Sequence, residues 1–476
     1  MSANPEQRVG GAGVEHVVGR PDGRSVDGGD RSDSVVRLPE DGRDESLFSL
    51  GFTWAGVLLA PGTVITGMIA AGGSKGPGFV YGFLGLAIGT ILGTLAVAAL
   101  STWGPPTGLA QMAMGRLAFG AANVVPQAFL ISSLVAYVAL NDVFGVNALA
   151  NALGVPFALA LSVVVTIEVL VVLFGITLMQ RFGRVISLVM LVVIVGLIIG
   201  ASGVSAAPAP AGLDGFPVGP FLLAVALGFS GSISWTVQAS DLSRTLPVAT
   251  RRHHVLWTVL TSMTLPLLLL GGIGAWVSTN AAIDNPMGRI ESLLGGGFPA
   301  VVALVVMGVS LAVANAFNDF SAGLSLVQMG VRLPRPVASL MITTSGLTLA
   351  IVAHNTPVGQ LTSDIALLAG YYTAPWFGVV LVELLARRGQ PRPWQILGRS
   401  PRRAVTAFVL GFLVLLPFSE TPAGNYLAES TVVFEWIGWA ARNLLDGGDL
   451  GYPVGVVAGA AIYAWLRRRD EVDAAA

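Results

Sequence analysis

Asn315, Asn318 and Asp319 stand close together in "ANAFNDFSAG" (314–323), inside an otherwise apolar run. Burying an unpartnered amide or carboxyl costs roughly 2–7 kcal/mol, so polar groups placed there need a task. An amide offers a donor and an acceptor to the edge of a ligand. A carboxyl in an apolar span is a candidate to carry a proton or face a cation. Glu168, in "VVVTIEVLVVLFG", is the most isolated acid of the chain and is a proton-relay candidate by the same rule. Other chemistry is scarce. The chain has 0 Cys and only 4 His, which excludes disulfides and thiolate sites and disfavours a histidine metal centre. No metal-ligand spacing, nucleophile constellation or phosphate-binding Gly loop is present, so neither an enzyme nor an organic cofactor is expected. His253 and His254 follow Arg252 and read as a solvated basic cluster in a loop.

The elements that position these groups must lie in a membrane. Of 476 residues, 54% are hydrophobic and 11% charged, against about 25% charged in soluble domains. The net charge of −1 offers no basic face to a nucleic acid. Residues 1–46, rich in Gly, Asp, Arg and Ser, lack the apolar centre of a signal peptide and read as a disordered tail. Beyond them, twelve apolar stretches from about 48–71 to 451–466 each approach the ~20 residues that a bilayer requires. The segment 431–445 is too short and polar to span and reads as an interfacial helix. Arg116, Arg181, Arg184, Arg244, Arg251, Arg252, Arg332, Arg335, Arg387 and Arg467 fall on one side, with only Lys75, Arg289 and Arg442 opposite. This asymmetry predicts both termini in the cytoplasm and a multi-pass protein of the plasma (inner) membrane.

Two predicted spans are interrupted. In the first, Pro61 and Gly62 sit mid-span, followed by Thr63, Thr66 and Gly67. In the sixth, Gly228, Ser230, Gly231 and Ser232 fall at mid-depth. Close helix packing is the simpler reason for a single Gly-rich helix. Breaks at corresponding places instead suggest two five-helix halves, 47–202 and 203–388, with 389–476 supplying two peripheral helices. In such inverted repeats, helix ends exposed at the midplane bind the substrate.

Four stretches carry a resemblance to a known family. They are "GRLAFG" (115–120), "SDLSR" (240–244), "NAFNDFSAGL" (315–324) and "YYTAPWFGVVLVELL" (371–385). In order, spacing and placement the chain resembles the nucleobase:cation symporter-1 family, best its cytosine-permease branch. The resemblance implies an all-α leucine-transporter-type fold of 5+5 inverted repeats plus two C-terminal helices. It also implies uptake of a planar nitrogen heterocycle such as cytosine, a purine, a hydantoin, allantoin or hydroxymethylpyrimidine, driven by H+ or Na+. The partners expected are that heterocycle and the lipid bilayer, for a protein working as a monomer.

In the family, aromatics of the third and sixth spans sandwich the ring while amides read its edge. Carried over, the first aromatic falls on Tyr137 and the amide on Asn141, which as i and i+4 share a helix face. The usual position in the sixth span falls on Ser232, with Gly231 beside it and Trp235 three residues on, so the second wall departs from the pattern. Thr66, Asn318 and Asp319 complete the candidate substrate set. Asp142 adjoins Asn141 but points elsewhere, Asp241 is expected to pair with Arg244, and Asp364 to lie near the outer mouth. In sodium-coupled relatives, hydroxyls of the eighth span help surround the ion. Here Val313 and Ala314 stand in their places, which favours proton coupling through Asp319, with Ser321 the nearest hydroxyl alternative. Two other readings stay open: the same fold carrying an amino acid or another small metabolite, and an integral membrane enzyme.

Overall fold

The computed structural model describes residues 37–72, 76–174, 176–209, 215–355, 370–388, 401–421 and 434–473, with isolated residues between. Among these, every regular element is a helix. The first span is a bent pair, α1 (Leu47–Leu58) and α2 (Pro61–Ala71), which meet at 59°. There follow α3 (Gly78–Ser101), α4 (Gln111–Phe119), α5 (Val124–Leu153), α6 (Phe157–Leu173) and α7 (Ile176–Ser202). The second half holds α8 (Val218–Ile233), α9 (Arg252–Trp276), α10 (Gly297–Gln328), α11 (Arg335–Ala353) and α12 (Thr373–Ala386). Finally α13 (Pro401–Leu415) and α14 (Gly451–Asp473) pack beside α12. Among the described residues, 8 helices are long and apolar enough to cross a membrane, or 9 with the bent pair, and α6 and α12 are shorter apolar helices.

The first break follows from its residues. Ala60 is held extended (φ −115°, ψ 144°), as the residue before a proline prefers, and Pro61 begins α2 where no amide hydrogen is needed. The carbonyls this frees are partly answered by Thr63, whose amide bonds Ala60 O at 3.1 Å and whose hydroxyl reaches Leu58 O at 3.5 Å. The sixth span behaves differently. It stays α-helical through Gly228, Gly231 and Ser232, tightens to a 3-10 turn over Ser234–Gln238, and resumes as Ala239–Ser243. Gly228 is therefore a packing glycine rather than the expected break. A Cβ there would stand 2.3 Å from Leu86 O of α3. Gly67 is likewise inside α2, where a Cβ would meet Gly271 O of α9 at 2.0 Å.

α10 is buried along most of its length between α5, α6, α7 and α11. Large apolar side chains left exposed, among them Leu92, Leu159, Val192, Leu265 and Val352, lie on the outer helices and suit a lipid surface. At the arginine-rich end, Glu383 of α12 binds Arg387 (2.5 Å), Arg467 (2.8 Å) and the Tyr463 hydroxyl (2.9 Å). Arg387 also donates to Leu117 O of "GRLAFG" at 2.8 Å, so the outer helices are tied to α4.

Residues 1–36 of the expected tail lie outside the described residues. Its last part is packed on the bundle: Leu38 is buried, its amide bonds Gly108 O at 2.9 Å, and Arg43 donates to Pro105 O at 2.6 Å. Lys75 and Asp364 also lie outside the described residues. Among the described residues of 431–445, the α-helix is Trp439–Leu444. His253 and His254 are in the first turn of α9, their rings 4.2 Å apart, rather than in a loop.

Candidate functional site

A cavity of about 130 Å³ opens where α1 breaks from α2. Its walls are the break itself with Thr63 and Thr66, Tyr137 and Asn141 of α5, and Gly231, Ser232, Ser234, Trp235 and Gln238 of the sixth span. Ala314 and Asn318 of α10 close the remaining side. No Asp, Glu, Lys, Arg or His is among the described lining residues. Two of its walls are aromatic. Trp235 is braced edge-on by the fully buried Trp54, centroids 5.9 Å apart at 88°. The Tyr137 hydroxyl faces Ser230 and Ser234 without a hydrogen bond of good geometry. Gly231 keeps the floor open, since a Cβ there would meet no atom within 4 Å.

The polar groups of the cavity are half satisfied. Gln238 Nε2 donates to Asn318 Oδ1 at 3.1 Å. That bond uses one donor and one acceptor of the amide pair and leaves Gln238 Oε1 and Asn318 Nδ2 for something else. Asn141 Nδ2 donates to Asn315 Oδ1 at 2.9 Å, leaving its own oxygen beside the cavity. The Ser232 hydroxyl turns back to Gly228 O at 2.9 Å and is spent within its own helix.

Tyr137, Asn141, Gly231, Ser232, Trp235, Asn318 and Thr66 are thus brought together, and Asp319 is not with them. One residue turns a helix by roughly 100°, so Asp319 faces α11, where the Thr343 hydroxyl donates to its Oδ2. Asp142 leaves Asn141 in the same way, as expected, and meets a partner that the sequence did not indicate. Asn315 Nδ2 lies 2.9 Å from Asp142 Oδ1, 3.3 Å from Glu168 Oε2 and 3.0 Å from Val138 O. The Glu168 carboxyl is also within hydrogen-bonding reach of those of Asp142 and Asp319. Glu168, Asp142, Asp319 and Asn315 are all fully buried.

Gln238 escaped the sequence reading; its only signal is a polar side chain three residues after Trp235. Asp241 accepts from Gln111 N at 2.7 Å and from the Ser321 hydroxyl at 3.1 Å, with Arg244 nearby. Ser321 is therefore engaged at the arginine-rich end, away from the cavity. Val313 and Ala314 are buried and apolar where they stand.

Comparison with known proteins gives the family and the fold. The family model described as permease for cytosine/purines, uracil, thiamine, allantoin matches residues 37–455. YxlA of Bacillus subtilis (strain 168), assigned as a purine-cytosine permease, is 22% identical over 459 residues, covering 91% of this chain and 95% of its own. Among solved structures, MHP1, a nucleobase-cation-symport-1 family transporter closed on bromovinylhydantoin, superposes with a TM-score of 0.67 at 15% identity. That match covers 90% of this chain and 93% of MHP1. A Na+-coupled sialic acid symporter in an outward-open state matches with a TM-score of 0.53 at 13% identity, over 90% of this chain and 91% of its own. Both structures share the fold of this chain, and the permease family that matches it indicates a transporter. The chain belongs to the nucleobase:cation symporter-1 family, the permeases for cytosine and purines, uracil, thiamine and allantoin.

Proposed function

We propose that this chain imports a neutral planar nitrogen heterocycle, a nucleobase or a close relative, by symport with protons. One observation carries the reading: beside the aromatic walls of Tyr137 and Trp235, the Gln238–Asn318 pair keeps one acceptor and one donor unused. A lactam or amidine edge presents the complementary pair, and its ring presents a face for the phenol or indole. An uncharged lining favours such a ligand over an amino acid, whose ammonium and carboxylate both need partners.

Proton rather than sodium coupling rests on Val313 and Ala314, which offer no hydroxyl to an ion, and on buried acids close behind the cavity. Alternating access in twelve spans arranged as two inverted five-helix repeats would expose the cavity to each side in turn. The protein is read as a monomer of the plasma membrane with both termini cytoplasmic. An uptake panel of labelled cytosine, purines, hydantoins and thiamine precursors into proteoliposomes tests the substrate class. At least one should be taken up and should saturate. Uptake of an amino acid with no response to any heterocycle would refute the reading.

A further inference from the structure

Behind the cavity, three carboxyls from three helices converge, with no cation among them in the described residues. Asp142 comes from α5, Glu168 from α6 and Asp319 from α10, each at 0% exposure. Glu168 reaches both aspartates, and the facing groups from the other elements are uncharged: Asn315 of α10, Val138 O of α5 and Thr343 of α11. Among the described residues, none of the three acids is in an ion pair. The closest charged group on α11 is Arg335, at its first turn, whose guanidinium lies 4.5 Å over the Phe320 ring. On α7, Arg181 and Arg184 have side chains outside the described residues.

Two further observations point to what the cluster holds. One oxygen of each acid has no partner: Asp142 Oδ2, Glu168 Oε1 and Asp319 Oδ1. Buried acceptors left in that condition are costly, and a hydrogen between facing carboxyl oxygens is the smallest group that satisfies two at once. Among the described residues, no group of three acids or histidines has the geometry to hold a metal ion. Independently, the Ser339 hydroxyl is fully buried and also lacks a partner. It sits one turn along α11 from Thr343, toward the arginine-rich end, against Gly323 of α10 one turn on from Asp319.

We propose that Asp142, Glu168 and Asp319 form the proton-carrying site of this transporter, and that Asn315 couples its charge to the substrate cavity through Asn141. The proposal rests on the proton-symport reading above and adds to it the site and the route. A proton enters as H+, converts one carboxylate to a carboxylic acid by forming an O–H bond, and leaves as H+ by breaking it. No other reactant is needed. Asn315 is the positioning residue. Its two N–H bonds face three acceptors, Val138 O and the two acids, while its oxygen holds Asn141. Loading or removing the proton changes which acceptors compete for that amide, and so moves the Asn141 oxygen that the ligand meets.

Two measurements on the full-length protein test this. In proteoliposomes with one pH unit imposed, one proton per substrate should give about tenfold accumulation of a transported heterocycle. Glu168→Gln and Asp319→Asn should abolish accumulation and flatten the pH profile, while exchange with preloaded substrate continues. Asn315→Ala should leave the proton site but uncouple it, with binding that no longer varies with pH. Tenfold accumulation retained by Glu168→Gln would overturn the proposal.

The second measurement needs no substrate and no folded variant to be informative. Infrared difference spectra of wild-type protein between acid and alkaline pH should show a buried carboxylic-acid carbonyl band, shifted or lost in Asp142→Asn and Glu168→Gln. A wild-type spectrum without such a band also overturns it. If no heterocycle is transported but the band is present and is shifted or lost in Glu168→Gln, the substrate reading fails and the proton site stands; a band unchanged in both variants belongs to another buried acid and overturns the proposal.

Discussion

The cavity and the carboxyl cluster share two helices, α5 and α10, and do opposite things with their polar groups. On α5 Asn141 meets the cavity while Asp142 meets the cluster; on α10 the neighbours Asn318 and Asp319 divide in the same way. A helix turns roughly 100° per residue, so adjacent positions suffice to serve two sites. The cavity contains neutral amides with valences to spare, suited to a ligand that comes and goes. The cluster contains buried acids, each with one oxygen that has no partner. The difference teaches how one bundle can read a substrate and hold a coupling ion without placing a charge against the substrate. Between them stands a single hydrogen bond, Asn141 Nδ2 to Asn315 Oδ1, at 2.9 Å.

The division can be broken from either side. Filling the cavity should have the largest effect. Gly231→Phe places a ring where a Cβ has no neighbour within 4 Å, so the protein should fold and reach the membrane, yet uptake and ligand binding should fall to background. Normal uptake by that variant would move the site elsewhere. Removing one wall comes next. Tyr137→Ala should weaken binding by about 10- to 100-fold, the ~1–3 kcal/mol that stacking a base on an aromatic ring contributes, with the pH profile unchanged in shape. A Tyr137→Ala variant of wild-type affinity would remove the phenol from the site.

A smaller loss is expected at the ligand edge. Gln238→Ala should raise the apparent KM several-fold, in line with ~0.5–1.5 kcal/mol for one hydrogen bond. It should do so without altering accumulation at saturation, whereas a change in coupling would show that the two regions are not separable there.

The smallest effect on transport is expected outside both regions. Before α14, burial pushes Asp449 up to about 6 from 3.8, against opposing bonds from Glu420 N, the Tyr371 hydroxyl and Gly451 N. The folded protein therefore binds this proton more tightly than the unfolded chain. Stability should be highest below about pH 4, decline as pH rises toward about 6, and level off above, by at most about 3 kcal/mol. Asp449→Asn should flatten that slope in a thermal-shift series with near-normal transport. An unchanged slope would assign the pH dependence to other groups.

How much of this was legible in the sequence depended on whether one residue or several helices carried the signal. Pro61 marks the first break because a proline restricts both itself and Ala60. Tyr137 and Asn141 share a face by spacing alone. The sixth span misled because glycine has two uses. Gly228 lets α3 approach, while the helix actually tightens over Ser234–Gln238, which contains neither Gly nor Pro. Gln238 was invisible for the same reason. Asp319 was expected in the cavity because sequence shows that a polar residue is present, but not which neighbour its face meets. Glu168 and Asp319 were each legible as coupling candidates, but their meeting with Asp142 was not: the three acids stand in three separate spans, and only packing against α10 brings them together.

The most direct test of the account is uptake of a heterocycle chosen from the panel, into proteoliposomes made with choline in place of sodium. An inside-alkaline pH gradient is then imposed and removed. The account predicts concentrative uptake that follows the pH gradient and collapses when a protonophore dissipates it. Uptake that requires sodium and ignores the pH gradient would contradict it.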